Sequence, residues 1–551
     1  MEKVWLKRYP PEVPADIDPD RYRSLVEVFE RSCSKFGRRF AFASMGYGLT
    51  YRELEKKSRA FAVYLQQELR LEKGERVAIM LPNVLQYPVA LFGALRAGLV
   101  VVNVDPFRAS RELEHQLRDS GAKAILILAN FARALAEVVD KTEIEHVIVT
   151  EIGDLLPYWK AKVVSLVVKH IKKMAPDHTL PGEIALNDAL AAGSERQLRP
   201  VAIAGEDLAF IQYTGGTTGP SKGAMLTHRN MVANIQQCLA YLGPSLREGE
   251  EIAITALPLH HGFCLTVNCL SFVLLGGLSV LITNPRDIPL FLSEMRQWKF
   301  SVITGAGAQF DALVNQPKFA QQDFGTLKLV IGAGSAVQRT VAERWRAATG
   351  VPILEGYGLT EAAPMVCINP ADLGEFDGGV GLPLPSTEIG LRDAAGDEAP
   401  PGEPGELCVR GPQVMRGYWR QPEETARAIR DGWLLTGDMA TVDERGFVRI
   451  ADRKQDLILV SGRNVFPNEI EQVVIGCEGA LEVACIGVPD EKTGEAVKIV
   501  VVRKPGAPLS ADAILDRCRQ RLAAHEMPRH IEFRDSLPKS NAGKILRREL
   551  R

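Results

Sequence analysis

Residues 213–223 read YTGGTTGPSKG. Gly215, Gly216 and Gly219 free the backbone to turn its amides inward; Thr214, Thr217, Thr218 and Ser221 supply hydroxyl donors, and Lys222 supplies charge. That is the composition of a loop that wraps an anion, a phosphate above all. The Walker A template fails, because Gly223 rather than Ser or Thr follows Lys222, and the loop is not a G-x-G-x-x-G fingerprint either. Four further stretches carry groups able to do chemistry: LPLHHGF (257–263), GYGLTE (356–361), DGWLLTGD (431–438) and PKSNAGK (538–544). Taken singly, each has an ordinary reading. Glu361 suits a helix cap, Asp438 a turn, and Lys544 a basic tail shared with Arg547, Arg548 and Arg551. Adjacent histidines on a strand point to opposite faces, so His260 and His261 are not expected to share a metal ion.

These residues need a scaffold, and the pattern between about 50 and 510 provides one. Helix-like stretches such as YRELEKKSRAFAVYLQQEL and ELEHQLRDSG alternate with short apolar strands, RVAIML, LVVVNV, AKAILIL and HVIVT. Such alternation predicts parallel sheets with crossover helices. After about 380, Gly and Pro punctuate short strands in GLPLPSTEIGLRDAAGDEAPPGEPGELCVRGPQV, the pattern of a compact β-rich subdomain. Helix and strand patterns then fill the last hundred residues, enough for a small α+β domain. We therefore expect an α/β protein with a large domain over 1–451, a hinge at 452–456 and a mobile domain over 457–551.

A chain of 551 residues exceeds one core, which supports the division. With 66 basic and 68 acidic residues the net charge is −2, so nucleic acid is not an expected partner. The nine cysteines are scattered without a CxxC pair, as in a reducing compartment. The N-terminal MEKVWLKRYPPEVP has no apolar run of the kind a signal peptide needs, and the longest apolar run, LSFVLLGGLSVLI (270–282), is broken by Gly276 and Gly277. It reads as helix, turn and strand. In YWKAKVVSLVVKHIKKM (158–174) lysines and apolar residues interleave at near-helical spacing. That suits a basic surface helix, or one lying on an anionic membrane.

Together, YTGGTTGPSKG, LPLHHGF, GYGLTE, DGWLLTGD, DRKQD (452–456) and PKSNAGK, in this order, resemble the adenylate-forming superfamily of acyl- and aryl-CoA ligases, luciferases and peptide-synthetase adenylation domains. VWLKRYP, LEHQLRDSGA, LITNPRDIP and FRDSLPKSNAGKILRREL are most similar to bacterial long-chain fatty acid–CoA ligases. The resemblance implies two parallel-type sheets sandwiched by helices. It also implies a two-step reaction, in which ATP converts a fatty acid to an acyl-adenylate and the CoA thiol then displaces AMP. Implied partners are the fatty acid, ATP, CoA and Mg²⁺, with a homodimer and a peripheral cytoplasmic membrane contact through 158–174 as further expectations.

Residue by residue, the resemblance implies that Thr214, Gly215, Gly216, Thr217, Thr218, Gly219 and Lys222 hold the β- and γ-phosphates. Within GYGLTE, Gly356, Tyr357 and Gly358 meet the base, with Tyr357 stacked on adenine and Gly334 and Ser335 on its other side. Thr360 reaches the α-phosphate, and Glu361 with Thr214 holds Mg²⁺. Asp438 takes the ribose hydroxyls, Arg453 contacts the ribose, and Lys544 bridges carboxylate and α-phosphate. His261 lies near the acyl carbon, and Phe263, Gly305, Gly307 and Gly332 line the acyl site. Rotation at the hinge withdraws Lys544 and brings Gly462 and Arg463 to the thiol. The chain departs from its nearest relatives at His260, Gln455 and Arg463, and in the small residues of TGAGAQF (304–310). HHGF also resembles the luciferase form, which keeps an aryl acid as an alternative substrate, and a carrier protein is an alternative acceptor.

Overall fold

The computed structural model describes residues 2–166, 180, 182–214, 220–374, 376–393, 395–400, 402–539 and 545–551. By internal contacts the chain divides into two compact units. The first comprises Val4–Glu388 and Val409–Leu434, the second Met1–Lys3, Ile389–Cys408 and Leu435–Arg551.

Two sheets build the first unit. A nine-strand sheet runs in the order Leu382–Pro383, Met365–Ile368, Ile353–Gly358, Leu329–Gly332, Val302–Gly305, Ile252–Thr255, Leu278–Leu281, Phe40–Ser44 and Tyr47–Thr50. Its six central strands are parallel and its margins antiparallel. An eight-strand sheet has the order Gly417–Tyr418, Lys222–Thr227, Leu208–Thr214, Val100–Asn103, Arg76–Met80, Ala124–Leu128, His146–Thr150 and Ile184–Ala185. It is parallel from Leu208–Thr214 onward, and Lys222–Thr227 turns back antiparallel. Central strands such as Val100–Asn103 and Leu329–Gly332 are buried along their whole length, as helices on both faces require. The crossover helices start where the sequence provides caps. Thr50 and Glu53 form a reciprocal box before Tyr51–Gln67, and Thr227 caps His228–Leu242. The 270–282 run is the expected helix, turn and strand: Gly276, at φ +75°, separates Phe272–Leu275 from Leu278–Leu281.

Glu388–Arg392, Gly405–Arg410 and Trp433–Val442 lie in that order in a further five-strand sheet, with Ile429–Arg430 and Val448–Arg453 both pairing with Trp433–Val442. A separate five-strand sheet follows: Arg463–Val465, Ile458–Val460, Gly494–Arg503 and Ala480–Asp490, with His530–Arg534 parallel to Gly494–Arg503. Helices Pro467–Ile475 and Ala511–Arg519 contribute Ile470, Val474, Ile514 and Cys518 to the core of this sheet. This is the expected α+β arrangement. All nine cysteines are free and buried. Among the described residues no helix is long and apolar enough to cross a membrane. Tyr158–Leu166 is helical, and 167–174 lies outside the described residues.

Candidate functional site

The phosphate-loop candidate joins two antiparallel strands, because Thr214 ends Leu208–Thr214 and pairs in register with Lys222, the first residue of Lys222–Thr227. Gly215, Gly216, Thr217, Thr218 and Gly219 lie outside the described residues. The loop's far end is anchored: Ser221 is buried, its carbonyl 2.8 Å from His115 Nε2 and its hydroxyl 3.4 Å from Gln116 Nε2. In the second contact the Ser221 hydroxyl oxygen accepts from the Gln116 amide. Lys222 pairs with Glu424 and lies 5.2 Å from the centre of the Tyr418 ring. Tyr418 belongs to Gly417–Tyr418, which pairs with Ala224 and Met225 of the lysine's own strand.

Tyr418 also donates to Glu361 Oε1 at 2.8 Å. Burial and the Glu361 charge both push its phenol upward, so it stays a donor. Glu361 sits in the short turn Thr360–Ala362, which packs against both Leu208–Thr214 and Lys222–Thr227. The turn is fixed from below and behind. Thr266 Oγ1 donates to Ala363 O at 2.7 Å, Met365 N donates to Asn234 Oδ1 at 3.0 Å, and Met415 N donates to Glu361 O at 2.7 Å. Thr214, Lys222, Thr360 and Glu361 are thus brought together. Gly356, Tyr357 and Gly358 end the strand that leads into the turn. One half-buried carboxylate beside a threonine suits Mg²⁺, a hard cation that keeps most of its waters and is shared with phosphates. No cluster of three or more His, Cys, Asp or Glu able to hold a metal occurs among the described residues.

His261 follows the loop after Ile252–Thr255 and starts the helical stretch at Gly262. The residue is exposed at the surface, yet protein packs densely around its ring, and this desolvation pushes its pKa down to about 4, with His260 adding to the effect. A neutral imidazole results. His260 Nε2 lies 3.7 Å from Asp105 Oδ1; both histidines sit in the turn after Ile252–Thr255 rather than on a strand, so the alternation argument does not apply to them. Phe263 is buried.

Gly305 and Gly332 face each other in register on neighbouring strands. The space their missing side chains leave is taken up by the protein: a Cβ would lie 3.0 Å from Phe310 Cζ at Gly305 and 2.9 Å from Val337 Cγ2 at Gly332. Gly307 N donates to Ser335 Oγ at 3.3 Å, tying two expected ligand-lining residues to each other. Gly334 beside it has φ +83°.

The second unit carries the remaining candidates. Asp438 and Arg453 are cross-strand partners, with Arg453 Nε 3.5 Å from Asp438 Oδ1. Lys454 pairs with Glu406 at 2.7 Å, and Glu406 also accepts from Gly437 N at 3.2 Å. Ser461 and Gly462, at φ +50° and +77°, form the two-residue turn between Val460 and Arg463. Both central residues have positive φ, the type I′ hairpin turn, which accounts for the glycine locally. Arg463 is exposed. Lys544 lies outside the described residues; its loop is closed by a bridge between Lys539 and Ile545.

Several contributing residues were not singled out from the sequence: Tyr418, Glu424, Asn83, Tyr87, Asn103 and Gln212. The last two had a signal, a single amide directly after an apolar run of a strand, VVVN and LAFIQYT. A buried amide demands partners.

Residues 29–419 match the family model of the AMP-binding enzyme, and residues 469–544 that of the AMP-binding enzyme C-terminal domain. The chain is 56% identical over 551 residues to the long-chain-fatty-acid–CoA ligase of Escherichia coli O6:H1, covering 100% of this chain and 98% of that one. Among solved structures, ATP-bound MatB from Rhodopseudomonas palustris matches with a TM-score of 0.82 and 30% identity, over 96% of this chain and 98% of that one. The anthranilate CoA ligase AuaEII in complex with anthranoyl-AMP matches with a TM-score of 0.84 and 25% identity, over 97% and 98%.

Proposed function

The chain belongs to the family of AMP-binding enzymes, and on that premise we propose that it joins a long-chain fatty acid to coenzyme A through an acyl-adenylate. The observation that carries this reading is the full-length similarity, at 56% identity, to a long-chain-fatty-acid–CoA ligase. The fold match to a CoA ligase in complex with an acyl-adenylate supports the intermediate.

A carboxylate is a poor electrophile. Its oxygen attacks the α-phosphorus of ATP, pyrophosphate leaves, and the mixed anhydride forms; the CoA thiol then attacks the acyl carbon and AMP leaves with the bonding pair. The first step brings together two anions, so catalysis lies in alignment and charge neutralisation. In our reading Lys222 and the loop that begins at Thr214 hold the departing pyrophosphate. Thr360 reaches the α-phosphate, and Tyr357, Gly334 and Ser335 hold adenine. Asp438 takes the ribose, exchanging its Arg453 partner for hydroxyls. Glu361 and Thr214 would hold Mg²⁺, which when bound neutralises phosphate charge. Neutral His261 stands beside the acyl carbon, where a charge is not needed, and Lys544 spans the two reacting anions. We place the pivot between half-reactions at 452–456, with the Ser461–Gly462 turn delivered to the thiol in the second step.

Exposed Tyr158, Trp159 and Val163 beside Lys160 and Lys162 support a peripheral contact with an anionic membrane. The nine buried free thiols agree with a reducing compartment. Sedimentation velocity tests the expected homodimer.

The decisive experiment is ATP–pyrophosphate exchange with fatty acids from butyrate to stearate and with aryl acids, repeated with CoA and thioester detection. Exchange and thioester with long-chain acids are expected. Exchange confined to aryl acids, or exchange without thioester, overturns the substrate or the acceptor respectively.

A further inference from the structure

A buried chain of amides connects the two sheets of the first unit, and it ends on the histidine loop. Gln212 Nε2 donates to His260 O at 2.7 Å; Asn103 Nδ2 donates to Gln212 Oε1 at 3.0 Å. Tyr87 Oη lies 2.8 Å from Asn103 Oδ1 and 2.9 Å from Leu259 O. The polarity of this chain is forced. His260 O can only accept, so Gln212 presents its nitrogen there and its oxygen to Asn103. Asn103 must then offer nitrogen to Gln212 and oxygen to Tyr87, whose single proton is shared by two acceptors. No amide can flip without setting like against like.

Asn83 grips the same loop from its other side. Its Nδ2 donates to Thr255 O at 3.1 Å and Leu257 O at 2.9 Å, and Leu259 N donates to its Oδ1 at 2.8 Å. Asn83, Tyr87, Asn103 and Gln212 are all at most 5% exposed. The carbonyl just before His261 is therefore held by Gln212, while the carbonyl of His261 itself accepts from Leu265 N at 3.0 Å. The backbone of His261 is pinned on both sides.

Gln212 is two residues before Thr214 on one strand, so the two side chains share a face roughly 7 Å apart. Gln212 aims at His260 O across that face. We propose that Gln212 is a positioning residue that sets His261 against the start of the nucleotide loop, so that acyl carbon and phosphates are held in one register. It touches no reacting atom and acts through the histidine loop. This rests on the acyl-adenylate reading above, and on His261 in particular.

The test is a double-mutant cycle in pyrophosphate exchange. Wild-type exchange with a long-chain acid, and its loss of rate in His261→Ala, belong to the functional reading and are measured first. Gln212→Met keeps side-chain volume and removes both hydrogen-bonding groups. It is expected to lower kcat ~10- to 100-fold, the usual cost of a displaced reacting group, with KM for ATP and acid within ~2-fold. Added to His261→Ala, it is expected to lower the rate by less than ~2-fold, since the residue acts through that histidine. Losses that multiply in the double variant overturn the proposal, as does a lowered melting temperature with kcat unchanged. Should Gln212→Met not fold, Tyr87→Phe loosens the same loop at Leu259. A several-fold fall in kcat that disappears in the His261→Ala background supports the proposal; an unchanged kcat overturns it.

Discussion

The ammonium of Lys222 is paired with the carboxylate of Glu424, a residue 202 positions later in the chain. The lysine's hydrogen bond and charge hold the Glu424 carboxyl below its usual range, so it stays ionised. A phosphate that recruits Lys222 must displace Glu424. Glu424→Gln is therefore expected to lower KM for ATP ~2- to 5-fold, the worth of a partly exposed ion pair, with kcat little changed. A raised KM in initial-rate kinetics would mean instead that Glu424 orients the lysine for its task.

His261 is held neutral by desolvation, its pKa pushed down to about 4. An ordinary histidine would protonate near pH 6.5 and give an acid limb there. The adenylation rate of the wild type, divided by that of His261→Gln, is expected to stay constant between about pH 5.5 and 8. A ratio that falls below about pH 6.5 sinks the neutral-histidine argument.

His228 is another depressed histidine, this one with a structural role. Burial pushes its pKa down to about 4, and its Nδ1 accepts from Leu25 N at 3.3 Å. The unfolded chain takes up this proton near pH 6.5 and the folded protein does not, so stability is lost as pH falls from about 6.5 to about 4. The loss from this group is roughly 2 kcal/mol at about pH 5. His228→Asn is expected to be less stable at about pH 7.5 but to lose less on acidification. Urea titrations at the two pH values check this; equal losses in both proteins would remove His228 as the source.

Tyr158 and Trp159 are 75% and 66% exposed at the start of a lysine-bearing helix. The protein is expected to float with anionic vesicles and not with neutral ones, and Tyr158→Ala with Trp159→Ala to weaken flotation several-fold. Undiminished flotation of that variant locates the contact elsewhere.

The motifs were legible because their chemistry is local. Glycines and threonines between two strands, GYGLTE after a strand, and the alternation of helix and strand patterns each announce themselves within a dozen residues. The hairpin that closes on Thr214 and Lys222, and the caps at Thr50 and Thr227, follow from the same short-range rules. In TGAGAQF the neighbour that crowds Gly305 was legible too, since Phe310 closes the same stretch and a Cβ on Gly305 would lie 3.0 Å from its Cζ.

By itself, then, the sequence determined the fold class, the order of the phosphate, histidine, carboxylate and lysine stretches, and the reaction they suit. Partnership was decided only by the tertiary structure. Glu424 meets Lys222 and Tyr418 meets Glu361 because Gly417–Tyr418 pairs with Lys222–Thr227, a strand nearly two hundred residues earlier. Gln212 reaches His260 because the strands of two different sheets end beside one loop. Side-chain periodicity is set by the chain nearby, whereas strand order and the facing of buried amides depend on burying the whole core at once.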